Sequence, residues 1–282
     1  ASFNTAVGYS AGYSNVSGVE MVALGYEALY ASTATGNTGL GYRAGKNTTG
    51  DDNTFVGGFA GFDNTSGSSN TSLGFNSLSN NTTASNNTAV GMSALISNST
   101  GSNNTAVGWY SQFGNTTGLA NSSFGSQSLV SNTTGQYNDA FGLQALYANT
   151  TGNYNTAVGS QSLRFNTTAS ENTAVGYQAL YTNATGTRNT SVGYQSLKFS
   201  TASDNTAVGR AALSNTTSGA NNTALGSRAG VEITTGASNV AVGTQSLASN
   251  TTASNNTAVG YQAAYSTTTS NRLTVLGQQA GY

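Results

Sequence analysis

Apolar and polar positions in this chain return at a fixed interval. A glycine follows an apolar residue at 8, 25, 41, 57, 74, 91, 108, 125, 142, 159, 176, 193, 209, 226, 243, 260 and 277, seventeen copies with thirteen spacings of 17 residues and three of 16. Count from that glycine as zero. Position −1 is Val, Leu or Phe in every copy, from Val7 and Leu24 through Phe124 to Leu276. Position −2 is mostly Ala or Ser, +3 is Ala or Ser throughout, and +4 is mostly Leu (Leu29, Leu78, Leu95, Leu146, Leu180), with Gly in copies such as Gly12 and Gly61. Position +1 wanders from Tyr177 to Trp109, Arg210, Ser227 and Gln278, as a wall facing solvent does. A sustained period of this length means stacked coils of one small supersecondary unit.

Short runs of small and β-branched residues, broken by Gly and Asn, read as strands and turns. Helices built on the Gln-Ala-Leu segments do not fit. A Gly and an Asn-Thr-Thr cluster in nearly every period leave no room for a helix of about ten residues. The expectation is an all-β parallel β-solenoid, or β-roll, of about 17 coils with a 17-residue period, one continuous array over 1–282 without a separate domain or cap. Each coil should hold two short strands, near −4 to −1 and +2 to +6, with each Val over the Val beneath. The repeat glycine should stand where the chain bends or meets a neighbour too closely for a Cβ. About one Val and one Leu per coil make a thin core, which predicts further burial against other chains.

Two polar rows accompany the apolar ones. Asparagine stands at −4 in fifteen of seventeen copies, interrupted only by Met21 and Leu273. Asn70, Asn87, Asn104, Asn121, Asn138, Asn155, Asn172, Asn189, Asn205, Asn222, Asn239 and Asn256 form its unbroken part. These read as side chains stacked at a turn, bonding each other and the backbone. Threonine at −3 is nearly as regular. At +6 or +7, Asn15, Asn47, Asn64, Asn81, Asn98, Asn115, Asn132, Asn149, Asn166, Asn183, Asn215 and Asn250 each begin Asn-x-Ser/Thr, the triplet that accepts an N-glycan on a glycosylating route. The alternative is a polar turn bonding its own backbone. Further triplets begin at Asn70, Asn86, Asn103, Asn121, Asn189, Asn221 and Asn255, and a packed −4 ladder should leave those unmodified.

Composition narrows the chemistry. Charged residues are 6% of the chain, against roughly 25% on average. The net charge of −1 gives no pull toward nucleic acid or an anionic membrane. Neutral glycans on the loops would supply the solubility that charge does not. Histidine, cysteine and proline are absent, so no thiol nucleophile, imidazole base, disulfide or usual transition-metal site is available, and no cofactor is implied. The acids are Glu20, Glu27, Asp51, Asp52, Asp63, Asp139, Glu171, Asp204 and Glu232, without the pairing that hydrolysis needs or the repeat spacing of a calcium roll. The chain is not expected to be an enzyme. No apolar run approaches the roughly 18 residues of a membrane span. Ala1 falls in mid-repeat, which reads as a processed product or fragment.

At Asn-Thr-Ala-Val-Gly-Tyr-Gln-Ala (172–179, echoed at 87–94 and 256–263) the chain resembles the head repeats of trimeric autotransporter adhesins and is similar to repeat shafts of phage-type tail-fibre proteins. The resemblance implies a β-roll with three chains side by side, in an extracellular, cell-surface or virion-surface fibre. Self-association is the expected partnership, lateral or head to tail. The chain begins at phase −7 and ends at +5, so end-to-end stacking would omit only four residues of one coil. A second reading is an ice- or carbohydrate-binding solenoid using the Thr row, or Tyr9, Tyr26, Tyr42, Trp109, Tyr177, Tyr194 and Tyr261 at +1. Whether those threonines point outward decides it.

Overall fold

A computed structural model describes all 282 residues, in two compact units, Ala1–Ala140 and Phe141–Tyr282. The chain is an all-β parallel solenoid with no helix. In the first unit β1 (Thr5–Val7), β2 (Val22–Leu24), β3 (Thr38–Leu40), β4 (Thr54–Val56), β5 (Thr71–Leu73), β6 (Thr88–Val90), β7 (Thr105–Val107) and β8 (Ser122–Phe124) follow one another, and β9 (Asp139–Phe141) contains the boundary. The second holds β10 (Thr156–Val158), β11 (Thr173–Val175), β12 (Thr190–Val192), β13 (Thr206–Val208), β14 (Thr223–Leu225), β15 (Val240–Val242), β16 (Thr257–Val259) and β17 (Thr274–Leu276). Successive strands pair in parallel with like over like: Thr88, Ala89 and Val90 face Thr105, Ala106 and Val107, and Thr156, Ala157 and Val158 face Thr173, Ala174 and Val175.

A strand sends alternate side chains to opposite faces. From β2 to β17 it is the middle residue, −2, that is buried, while −3 and −1 face outward. The valines do superimpose, but on the outer face, where Val7 is 56% and Leu73 48% exposed. The expected Val core is therefore corrected. The interior is Ala at −2 and +3 with Leu at +4, for example Ala174, Ala179 and Leu180, all buried. Small residues win inside because the strand and the turn opposite it lie close together.

The second predicted strand is also absent, since +2 to +5 is turn in every complete coil. Residues +2 and +4 are left-handed, as at Gln178 (φ 53°) and Leu180 (φ 49°). Alternating handedness bends the chain around the core, yet its amides still point along the stack. Gln178 N donates to Ser160 O at 3.1 Å in the coil before, and Leu180 N to Ser196 O at 3.1 Å in the coil after. These ladder bonds hold a leucine in a conformation L-residues disfavour. Gly176 makes the sharpest corner, at φ 131°, and a Cβ there would lie 2.5 Å from the Gly193 carbonyl oxygen.

Glycine at +4 has its own reason. Phe55 occupies a −2 position that is Ala or Ser in most coils, and it is fully buried. A Cβ on Gly61 would come within 2.1 Å of Phe55 Cε1, and one on Gly45 within 2.5 Å of Phe55 Cδ2. Gly12 is similarly crowded by the terminal methyl of Met21, at 2.5 Å. Wherever −2 is Ser, +3 is Ser too. Ser72 and Ser77 bond through their hydroxyls, as do Ser191 and Ser196, while Ser111 joins Ser123 at 2.6 Å and Ser128 at 3.0 Å.

Candidate functional site

Neither unit encloses a pocket, so candidate chemistry lies on the outer strand face and in the asparagine rows. On that face −3 and −1 make two parallel columns, threonine and aliphatic. At +1, just past the bend, Tyr9, Tyr26 and Tyr42 stack with ring centroids 5.1 and 5.3 Å apart, and Tyr177 stacks on Tyr194 at 5.6 Å. Such columns stabilise neighbouring coils while leaving one ring face or edge to solvent. Arg43 lies over Tyr26 and Tyr42, at 5.8 and 5.1 Å from their centroids.

The threonines at −3 point outward. Their hydroxyls make no hydrogen bond within the chain, whereas the threonines at +8 are occupied. Thr82 Oγ1 donates to Ser99 O, Thr116 Oγ1 to Thr133 O and Thr150 Oγ1 to Thr167 O, each at 3.0 Å. Val22, Asp139 and Val240 interrupt the −3 column. The neighbouring −4 asparagines do not, because they turn inward.

That −4 row is a buried ladder over Asn70, Asn87, Asn104, Asn121, Asn138, Asn155, Asn172, Asn189, Asn205, Asn222, Asn239 and Asn256. Within each unit the backbone amide donates to the side-chain oxygen of the asparagine one coil earlier, as in Asn87 to Asn70, Asn104 to Asn87 and Asn121 to Asn104, all at 2.9 Å, and Asn189 to Asn172 at 3.0 Å. Its side-chain amide reaches the carbonyl at +10, as in Asn172 Nδ2 to Gly186 O at 2.9 Å. An asparagine that makes both bonds, as Asn172 does, closes its own coil and caps the next. Asn87 Nδ2 and Asn256 Nδ2 are buried without a partner.

Most of the +7 asparagines lie inside the coil. Asn64, Asn81, Asn98, Asn115, Asn132, Asn149, Asn166, Asn183 and Asn250 are fully buried. All but Asn250, whose Nδ2 has no partner, belong to a second ladder: Asn98 Nδ2 donates to Asn81 Oδ1 at 3.0 Å, Asn115 Nδ2 to Asn98 Oδ1 at 2.9 Å and Asn166 Nδ2 to Asn149 Oδ1 at 2.8 Å. The same nitrogen also donates to the carbonyl three residues on, as Asn115 Nδ2 does to Gly118 O at 2.9 Å. A glycan would need that nitrogen, and the next coil fills the space around it. In the folded chain these amides are therefore interior. Asn15 is half-buried, its amide on Gly18 O at 3.2 Å. Asn47 and Asn215, which stand at +6, face outward with their amides on Asp63 (3.1 Å) and Glu232 (2.9 Å) carboxylates. A signal for the interior was present in the chain: the equivalent position in another coil is Ile233, also fully buried.

Acids and bases serve structure where they meet. Glu27 lies between Arg43 (2.9 Å) and Lys46 (2.7 Å). The Lys46 hydrogen bond, with Arg43 adding to it, holds the Glu27 carboxyl below its ordinary range against a smaller burial effect. Arg188 donates to both carboxylate oxygens of Asp204, at 2.7 and 3.0 Å, and depresses that carboxyl likewise. No three residues among His, Cys, Asp and Glu gather into a metal-ligating group, and no helix is long and apolar enough to cross a membrane. No protein-family model matches the chain, and comparison with curated proteins finds no similar sequence.

Proposed function

We propose that this chain is a non-catalytic structural segment of an extracellular or virion-surface fibre, built by lateral packing of copies of itself. The observation that carries the reading is the exposed aliphatic column at −1, beside the aromatic column at +1. Contiguous apolar surface of this kind marks an interaction site, and its repeat matches that of a second copy coil for coil. A thin alanine-leucine interior leaves much of the chain's apolar burial to such packing. Three chains side by side is the arrangement suggested by the resemblance to adhesin heads and tail-fibre shafts.

The test is the mass of the unmodified protein by sedimentation equilibrium, compared with a variant carrying Val90→Asp, Val107→Asp, Val175→Asp and Val192→Asp. The wild type should sediment as an oligomer. The variant should keep its far-ultraviolet spectrum and sediment as a monomer, since a buried unpaired carboxylate is costly. A wild type that stays monomeric at high concentration would overturn the reading.

A second reading, binding to an ordered lattice such as ice or a crystalline polysaccharide, is favoured by the outward threonines with unbonded hydroxyls. It predicts a monomer that shapes ice crystals or sediments with the polysaccharide, so the same mass measurement separates the two.

A further inference from the structure

The fold sorts the Asn-x-Ser/Thr triplets into classes that the sequence does not separate. At +7 the acceptor amide is interior. In the −4 triplets of Asn70, Asn121 and Asn189 the acceptor is buried, and so is the hydroxyl two residues on, at Ser72, Ser123 and Ser191. A third class begins one residue earlier, at −5.

In 86–88, 103–105, 221–223 and 255–257 the triplet is Asn-Asn-Thr. The first asparagine is exposed and left-handed, with φ of 60, 63, 60 and 62° at Asn86, Asn103, Asn221 and Asn255. Its side chain makes no hydrogen bond within the chain. The middle asparagine turns into the −4 ladder and anchors the triplet. The threonine returns to the outer face with its hydroxyl unbonded. Acceptor amide and recognition hydroxyl are therefore free on the same surface, two residues apart. Asn80 is exposed too, but the hydroxyl of its triplet, Thr82 Oγ1, is spent on Ser99 O at 3.0 Å.

We propose that Asn86, Asn103, Asn221 and Asn255 are the sugar-accepting positions of the folded chain, in N-linked transfer from a diphosphate-activated sugar. In that step the asparagine Nδ2 forms a bond to the anomeric carbon as the carbon–oxygen bond to the diphosphate breaks. The diphosphate leaves with the bonding pair, and one amide proton passes to the transferase's base. The proposal rests on the surface-fibre reading only in supposing that the chain meets a transferase. It reverses the expectation that the +7 row is decorated and the −5 row bare. Sugar added at +7 before coiling would take one of two donated hydrogens from the inner ladder and prop the next coil away.

The experiment incubates the purified, folded chain with a soluble Asn-sequon glucosyltransferase and UDP-glucose, then maps hexose by peptide mass. A tryptic digest treated identically supplies the unfolded comparison. In the digest both classes accept. On the folded chain, occupancy at the four −5 positions should exceed that at Asn98, Asn115 and Asn166 by about tenfold or more, because a buried amide reacts only after local opening. Thr88→Val and Thr105→Val, which keep the outward branched shape, should abolish transfer to Asn86 and Asn103 alone. Equal occupancy of the two rows on the folded chain, or a bare −5 row beside a modified digest, overturns the proposal. Oligomer mass is measured on unmodified protein, so either idea can fail without the other.

Discussion

Phe55 and Gly61 show how single residues are chosen together. Gly61 stands where most coils have Leu, and Phe55 where most have Ala or Ser. Gly61→Leu should lower stability by at least about 1–3 kcal/mol through overpacking, and Phe55→Ala by about 3–5 kcal/mol through the cavity it leaves. The double variant should recover much of the loss, giving a coupling energy above about 1 kcal/mol in denaturant titrations. Additive effects would refute the proposed fit. The glycine exceptions at +4 were visible in the sequence, but their cause was not, because it lies across the coil rather than along the chain. The same holds for the asparagines. Their regularity was plain, yet a polar side chain repeated in a loop reads as surface unless it is known that each one satisfies its neighbour.

The coil as an element was legible in its period, its parallel pairing and its glycine corner. Its inside and outside were partly inverted. Hydrophobicity alone puts valine at −1 in the core, but a three-residue strand has only one inward position, and alanine fills it in most coils. The turn from +2 to +5 is hard to read from the chain because its left-handed residues are most often Gln at +2 and Leu at +4, which carry no turn signal. The repeat glycine gives the sharpest test of this element. Gly176→Ala combines a disfavoured backbone region with a 2.5 Å approach to the neighbouring carbonyl. It should cost about 1–3 kcal/mol in strain alone, and amide exchange should quicken in the coils around 159, 176 and 193. Unchanged protection there would contradict the close approach.

For the whole molecule, the absence of histidine leaves carboxylates as the main groups titrating in mild acid. Glu27 and Asp204 have folded values below their ordinary 4.5 and 3.8. Their contribution is therefore complete above those values and lost as pH falls through the depressed ones. Thermal midpoints should stay level from about pH 8 to about pH 5 and decline only below about pH 4. Asp204 is exposed and Glu27 half-buried, so added salt should flatten the Asp204 part of the decline more. A midpoint that falls between neutrality and pH 5 would show another group at work.

The three 16-residue coils each lose one residue between +7 and +10, and each carries a hydroxyl in place of asparagine at +7: Ser32, Thr48 and Ser200. The asparagine spans a three-residue loop to its carbonyl, whereas Ser200 Oγ takes the amide of Ala202, only two residues on, at 3.3 Å. A hydroxyl there accompanies the short winding without imposing it, since Thr216 and Thr267 hold the same position in 17-residue coils. Excision of one full turn, residues 87–103, would join Asn86 to Asn104 and recreate the same junction. A gene encoding this array could thus shorten or grow by whole periods without penalty, while single-codon slips are tolerated only inside that one short window.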